Sequence, residues 1–188
     1  SLTNKNCGAS PRRICSIEVL LKKIGIYGGT FDPIHHGHLI LAREARESFQ
    51  LDEVVFVLAA QSPHKKTFTP AETPVRWEML TAAIDGETGF SACRLEIDRP
   101  PPSYTVDTVE QLQAARPETE FYFLIGEDNL SQLSSWHRFE DLRRLVQFVV
   151  LDRSGATLTE SYPVVRRKVD ISATAIRNRV ASGQSIRY

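Results

Sequence analysis

Two stretches of this 188-residue chain carry residues whose types and spacing could do chemistry. The first reads Gly28-Gly29-Thr30-Phe31-Asp32-Pro33-Ile34-His35-His36-Gly37-His38-Leu39 and follows a short apolar run. Two glycines at a strand end permit close backbone approach and a positive φ, which presents N–H groups to an anion. A helix starting just beyond them adds its partial positive charge. His35 and His38 stand three apart on one helix face, where both imidazoles could donate to a single phosphate. A surface histidine cluster and a zinc site built on His-His-Gly-His are the competing readings of the same residues, and no third zinc ligand is adjacent in sequence. The glycine order is neither GxGxxG nor GxxxxGK[ST], so neither a dehydrogenase nor a P-loop NTPase is indicated.

The second stretch reads Asp170-Ile171-Ser172-Ala173-Thr174-Ala175-Ile176-Arg177. Ser172 has the character of a helix N-cap, and Thr174 and Arg177 follow within about a turn, which makes a second helix start suited to an anion. Taken alone, this is an ordinary capped helix with an arginine. Taken with the first stretch, it suggests a ligand with several phosphates.

Holding two such helix starts together requires a regular frame. Short apolar runs at residues 23–27, 54–58, 92–97, 121–125 and 147–151, with a weaker one at 168–171, read as strands. Helical patterns occupy residues 39–49, 74–84 and 106–115, the second opening on Pro74 after Thr73 and the third ending before Pro117. Nearly continuous apolar strands separated by helices predict an α/β fold: a Rossmann-like, doubly wound parallel sheet of about five to six strands. Ligands of such sheets collect beyond the carboxyl ends of the strands, at a switch point. The expected organisation is a single domain over residues 23–188, preceded by an irregular N-terminal extension over residues 1–22.

Lys plus Arg and Asp plus Glu both number 23, and zero net charge argues against a polybasic binder of nucleic acid or lipid. The charge is nonetheless partitioned, with residues 161–188 holding six bases against one acid. Cys7, Cys15 and Cys93 form no CxxC pair, so neither a disulfide framework nor a cysteine zinc site is expected. The longest apolar run, residues 54–60, is too short to span a bilayer, and Glu18 interrupts the one early stretch that could serve as a signal core. The expectation is a soluble cytoplasmic protein with no nucleic-acid or membrane partner.

The two motifs together resemble those of the nucleotidylyltransferase superfamily, and within it the chain is most similar to the bacterial nicotinate-nucleotide adenylyltransferases. Further segments carry the narrower resemblance in order: Pro63-His64-Lys65, Arg76 with Met79-Leu80, Ser103-Tyr104-Thr105-Val106-Asp107-Thr108, Gly126 with Asp128 and Leu130, Trp136, and Arg153 with Gly155. The resemblance covers residues 23–188 and implies transfer of the AMP moiety of ATP to nicotinate mononucleotide, with magnesium carried on the phosphates rather than by protein side chains. It further implies that Gly28, Gly29, Thr30 and Phe31 lie along the dinucleotide backbone and that His35 and His38 contact ATP phosphates. Ser172, Thr174 and Arg177 would hold the β and γ phosphates, with Lys65 closing over them, and Ile171 beside them would belong to the substrate-binding residues. Trp136 would carry the pyridine ring and Tyr104 and Thr105 would meet its carboxylate. Asp128 beside Gly126 would face a ribose, and Arg153 would line the same cleft. Ala173 stands where the family commonly has a second serine, which removes one hydroxyl from the triphosphate site. Superfamily members acting on phosphopantetheine, FMN or nicotinamide mononucleotide, and a non-catalytic nucleotide sensor on the same fold, are the alternatives.

Overall fold

A computed structural model describes residues 21–60, 69–156, 159 and 161–187. Six strands, β1 (Lys22–Gly29), β2 (Glu53–Leu58), β3 (Phe90–Cys93), β4 (Thr119–Gly126), β5 (Gln147–Asp152) and β6 (Val164–Arg166), form one sheet in the order β3-β2-β1-β4-β5-β6. Every neighbouring pair is parallel. The helices are α1 (His36–Ser48), α2 (Thr73–Ile84), α3 (Thr105–Ala115), α4 (Phe139–Leu145) and α5 (Ala173–Ala181), with a 3-10 helix over Glu127–Ser135.

The strands bury both faces, and their alternation sorts the core into two layers. Tyr27, Phe56, Tyr122, Leu124, Val149 and Leu151 pack with Leu41 and Ala45 of α1 and Leu80 and Ile84 of α2. Their sequence neighbours Ile24, Ile26, Val55, Phe121, Phe123 and Phe148 face the opposite way, against Val106, Val109 and Leu112 of α3 and Leu142 of α4. The chain therefore winds outward from β1 to β3 with helices on one face, then crosses under α3 to β4 and winds the other way. The reversal falls between β1 and β4, whose ends carry Gly28-Gly29 and Gly126.

Two expected strands are displaced. The run at 92–97 is in the sheet only to Cys93, because β2 ends at Leu58 and Cys93 pairs with Val57 one residue before that end. Beyond it the chain turns, with Ile97 and Asp98 N–H groups donating to the Arg94 carbonyl. Residues 168–171 are not a strand. The sixth strand is the three-residue Val164–Arg166, after which Arg167 and Val169 donate to the carbonyls of Asp152 and Arg153 as the chain leaves the sheet. The reading of residues 1–22 as an irregular extension falls outside the described residues except at its end, where β1 already starts at Lys22.

Candidate active site

The carboxyl ends of β1 and β4 open into two cavities that share Gly28, Gly29, Thr30, Gly126 and Asn129. The first, about 390 Å³, runs over the starts of α1 and α5 and holds Phe31, His35, His38, Asp128, Arg153, Ser172, Thr174 and Arg177. The second, about 370 Å³, lies toward α3 and holds Tyr104, Thr105, Thr108, Trp136 and His137. The fold thus brings together the residues of both motifs and those of the 103–108 segment. Ile171 lines neither cavity, being the residue before the N-cap. Lys65 lies outside the described residues.

Gly29 acts through space rather than through backbone conformation. Neither Gly28 nor Gly29 has a positive φ; the residue that does is Phe31, at 44°. A β-carbon on Gly29 would stand 2.8 Å from Cε1 and Cζ of Phe31. The Phe31 ring is buried against Tyr27 at 5.5 Å, Phe56 at 5.8 Å and His38 at 5.2 Å between centroids. The glycine therefore leaves room for an inward-turned phenylalanine, which in turn supports the edge of His38.

The two imidazoles stack, with centroids 3.8 Å apart and planes 28° from parallel. His35 is the N-cap of α1, and its backbone N–H donates to Nδ1 of His38 at 3.2 Å. That bond makes Nδ1 the acceptor and puts the proton of a neutral His38 on Nε2. Burial, then the positive charge of Arg153 and the neighbouring His36, hold the His35 ring down to about 4. His35 is therefore neutral at neutral pH. Burial, followed by the charge of Asp128, raises the Tyr27 hydroxyl well above its ordinary value, so it also stays uncharged.

At the start of α5, Ser172 Oγ accepts the Ala175 N–H at 3.1 Å, the capping role read from the sequence. No side chain of α5 is buried. Arg177 ties the helix to the first motif, with Nη1 donating to the Asp32 carbonyl at 2.6 Å and Nη2 to Thr174 Oγ1 at 3.1 Å. Arg153 sits on a turn built by the buried Asp152, whose Oδ1 accepts from Ser154 N, Ser154 Oγ and Gly155 N at 2.8–2.9 Å. Its guanidinium approaches Glu127 at 3.9 Å.

In the second cavity, Trp136 meets Phe123 edge-on at 5.9 Å, while Tyr104 stacks on His137 at 4.0 Å. Tyr104 is the N-cap of α3, so the first N–H groups of that helix open toward this cavity.

Three features escaped sequence reasoning. Arg76, 1% exposed, donates to the carbonyls of Thr30, Ala59 and Ala71 at 2.8–2.9 Å and so fixes the exits of β1 and β2. Burial lowers its guanidinium from the ordinary value, opposed by Asp32. Asn129 lines both cavities, and Glu96 and Thr108 meet at the wall of the second. Arg76 and Thr108 belonged to recognised segments, but nothing in a linear sequence shows which carbonyls an arginine spans.

The cytidylyltransferase-like family model matches residues 26–179. A Geobacillus thermodenitrificans protein named "Probable nicotinate-nucleotide adenylyltransferase" is 44% identical over 169 residues, covering 88% of this chain and 78% of its own length. A Thermus thermophilus protein of the same name is 42% identical over 170 residues, covering 88% and 90%. The solved structure of "Plasmodium falciparum nicotinic acid mononucleotide adenylyltransferase complexed with NaAD" superimposes with a TM-score of 0.72 at 22% identity, covering 88% of this chain and 87% of that one, and has the same fold. The chain belongs to the cytidylyltransferase-like family and, within it, to the nicotinate-nucleotide adenylyltransferases.

Proposed function

We propose that the chain transfers the AMP moiety of ATP to nicotinate mononucleotide, forming nicotinate adenine dinucleotide and pyrophosphate for NAD biosynthesis. The observation that carries this reading is the pair of cavities joined over Gly28–Thr30 and Gly126. One is lined by donors suited to a polyphosphate, the other by aromatic rings and a helix N-terminus suited to an acidic pyridine.

ATP occupies the first cavity, its phosphates over His35, His38, Ser172, Thr174 and Arg177, with Asp128 toward a ribose and Arg153 along the cleft. The mononucleotide occupies the second, its ring near Trp136 and its carboxylate at the N–H groups around Tyr104 and Thr105. An oxygen of the mononucleotide phosphate attacks the α phosphorus. The bond from that phosphorus to the bridging oxygen breaks, and pyrophosphate leaves with the electron pair. A phosphate dianion is already a nucleophile, so no general base and no covalent enzyme intermediate are required. Catalysis rests on alignment and on neutralising charge as it builds on the phosphates, the task of His38 Nε2, Arg177 and the helix starts. The donor-rich first cavity suits phosphate oxygens, so Mg2+ would be held by those oxygens and water, where it supplies further charge neutralisation. Lys65 is part of the same proposal as a phosphate contact, and a cytoplasmic setting follows from ATP as the donor.

The test is an acceptor panel at saturating ATP. Nicotinate mononucleotide should give the highest kcat/KM against nicotinamide mononucleotide, phosphopantetheine and FMN. A higher value for phosphopantetheine or FMN would move the chain to another branch of the superfamily. No product from any acceptor would support a non-catalytic sensor.

A further inference from the structure

The second cavity contains a carboxyl group that the transfer reaction does not use. Glu96 lies on the turn after β3, half-buried, and lines the cavity wall. Thr108 Oγ1, on a residue 1% exposed, donates to Glu96 Oε1 at 3.3 Å. Arg99 Nη1 donates to that same hydroxyl at 3.3 Å and to Ser103 Oγ at 2.9 Å. The other terminal nitrogen of Arg99, Nη2, is buried with no hydrogen-bond partner among the described residues. An acid and a base thus meet on one threonine at the foot of α3.

Thr108 stands three residues after Thr105 on the same helix face, about 5–6 Å away. A pyridine carboxylate held at the first N–H groups of α3 would therefore share the cavity with Glu96 at about 9 Å, one helical turn beyond the Thr108 hydrogen bond.

We propose that Glu96 sets the acceptor preference by its charge: uncharged, it leaves the Arg99 cation to favour an acidic pyridine; charged, it cancels that cation and narrows the preference toward a neutral carboxamide. The inference rests on the adenylyltransferase reading above and names the group that tunes it. Burial pushes the Glu96 carboxyl up to about 7, against the Thr108 hydrogen bond and the charge of Arg99. Both charge states are then populated near neutral pH. The other charged or titratable groups on the packed elements are Arg94 and Asp98 on the Glu96 turn, paired with each other at 3.1 Å, Cys93 at the end of β3, Tyr104, Asp107 and Glu110 on α3, Arg116 at its end, and His137 across the cavity. Burial raises the Cys93 thiol, and Asp107 is met by Arg138 at 3.8 Å.

The experiment measures kcat/KM for nicotinate and nicotinamide mononucleotides from pH 6 to 9 with the wild-type chain, Glu96→Gln and His137→Gln. Titration of ATP and of the mononucleotide phosphate is common to both acceptors and cancels in their ratio. A charge switched on at about 9 Å in a half-buried site should lower the nicotinate-to-nicotinamide ratio about twentyfold across this range. Glu96→Gln should hold the ratio flat at its low-pH value, and His137→Gln should keep the step. A flat wild-type ratio, or a step that survives in Glu96→Gln, overturns the role of Glu96. If Glu96→Gln fails to fold, the wild-type ratio still decides, together with an NMR titration of the Glu96 side chain in the unliganded protein, expected to have a midpoint of about 7. Turnover with a flat ratio removes only this inference, whereas no product from either acceptor removes the adenylyltransferase reading with it.

Discussion

Substituting alanine at Gly29 and at Gly28 separates two roles that a double glycine motif can conceal. At Gly29 the new methyl carbon would lie 2.8 Å from two atoms of the Phe31 ring. That ring cannot withdraw, because it is 3% exposed and wedged among Tyr27, Phe56 and His38. Overpacking of this kind costs about 1–3 kcal/mol, which in a domain of this size corresponds to a loss of roughly 3–10 °C in Tm. The same displacement pushes the ring against His38, so kcat should fall with stability. At Gly28 the methyl would meet only Phe123 Cζ at 3.6 Å, an ordinary contact. Gly28→Ala should leave Tm within about 2 °C of wild type, because a substitution without a clash costs little. Its methyl would nevertheless occupy the second cavity, which Phe123 also lines, and raise KM for the mononucleotide more than KM for ATP. Reduced unfolded-state freedom stabilises either alanine by about 0.4–1 kcal/mol, so the difference between the two variants isolates the clash. Thermal melts and steady-state kinetics read both effects. Equal Tm values for the two variants, or a lower Tm for Gly28→Ala, would refute the assignment.

Other consequences are equally direct. Arg76→Met leaves the carbonyls of Thr30, Ala59 and Ala71 without their donor, and should cost about 3 kcal/mol or more and weaken both substrates, since Thr30 lines both cavities; denaturant melts and KM values check this. His35 binds its proton more weakly in the folded chain than in the unfolded one, so its contribution is intact above about 6.5 and is lost as pH falls toward about 4. His35→Gln should lack that part of the acid slope in melts from pH 8 to pH 4. His38→Ala removes a donor to the transferring phosphate and should lower kcat about 100-fold, with Tm measured alongside to exclude unfolding.

How much of this was legible in the chain depended on whether the signal was local. The central strands were readable because apolar runs such as 54–58 and 121–125 are buried on both faces, and the Ser172 cap was readable because capping chemistry spans only three residues. The edge strands shifted because their limits are set by a partner: β3 stops at Cys93 near the end of β2, and β6 has three residues beside β5. The positive φ was expected at the glycines and belongs to Phe31, whose ring is held inward by Tyr27 and by Phe56, 25 residues away on β2. Arg76 reaches the Thr30 and Ala59 carbonyls 46 and 17 residues away, and Glu96 meets Thr108 12 residues away; no local pattern encodes such spans. Division of the site into two cavities follows from the order of β1 and β4 in the sheet, which a parallel-sheet expectation leaves open.

In the proposed reaction the two cavities bring a triphosphate and a mononucleotide together for direct adenylyl transfer. Its most direct measurement mixes the purified chain with magnesium, ATP labelled at the α phosphorus and nicotinate mononucleotide, and follows pyrophosphate and label together. Pyrophosphate should be released only when the acceptor is present, in one-to-one proportion with label appearing in nicotinate adenine dinucleotide. Pyrophosphate released from ATP alone, or label retained on the protein after the acceptor is consumed, would contradict it.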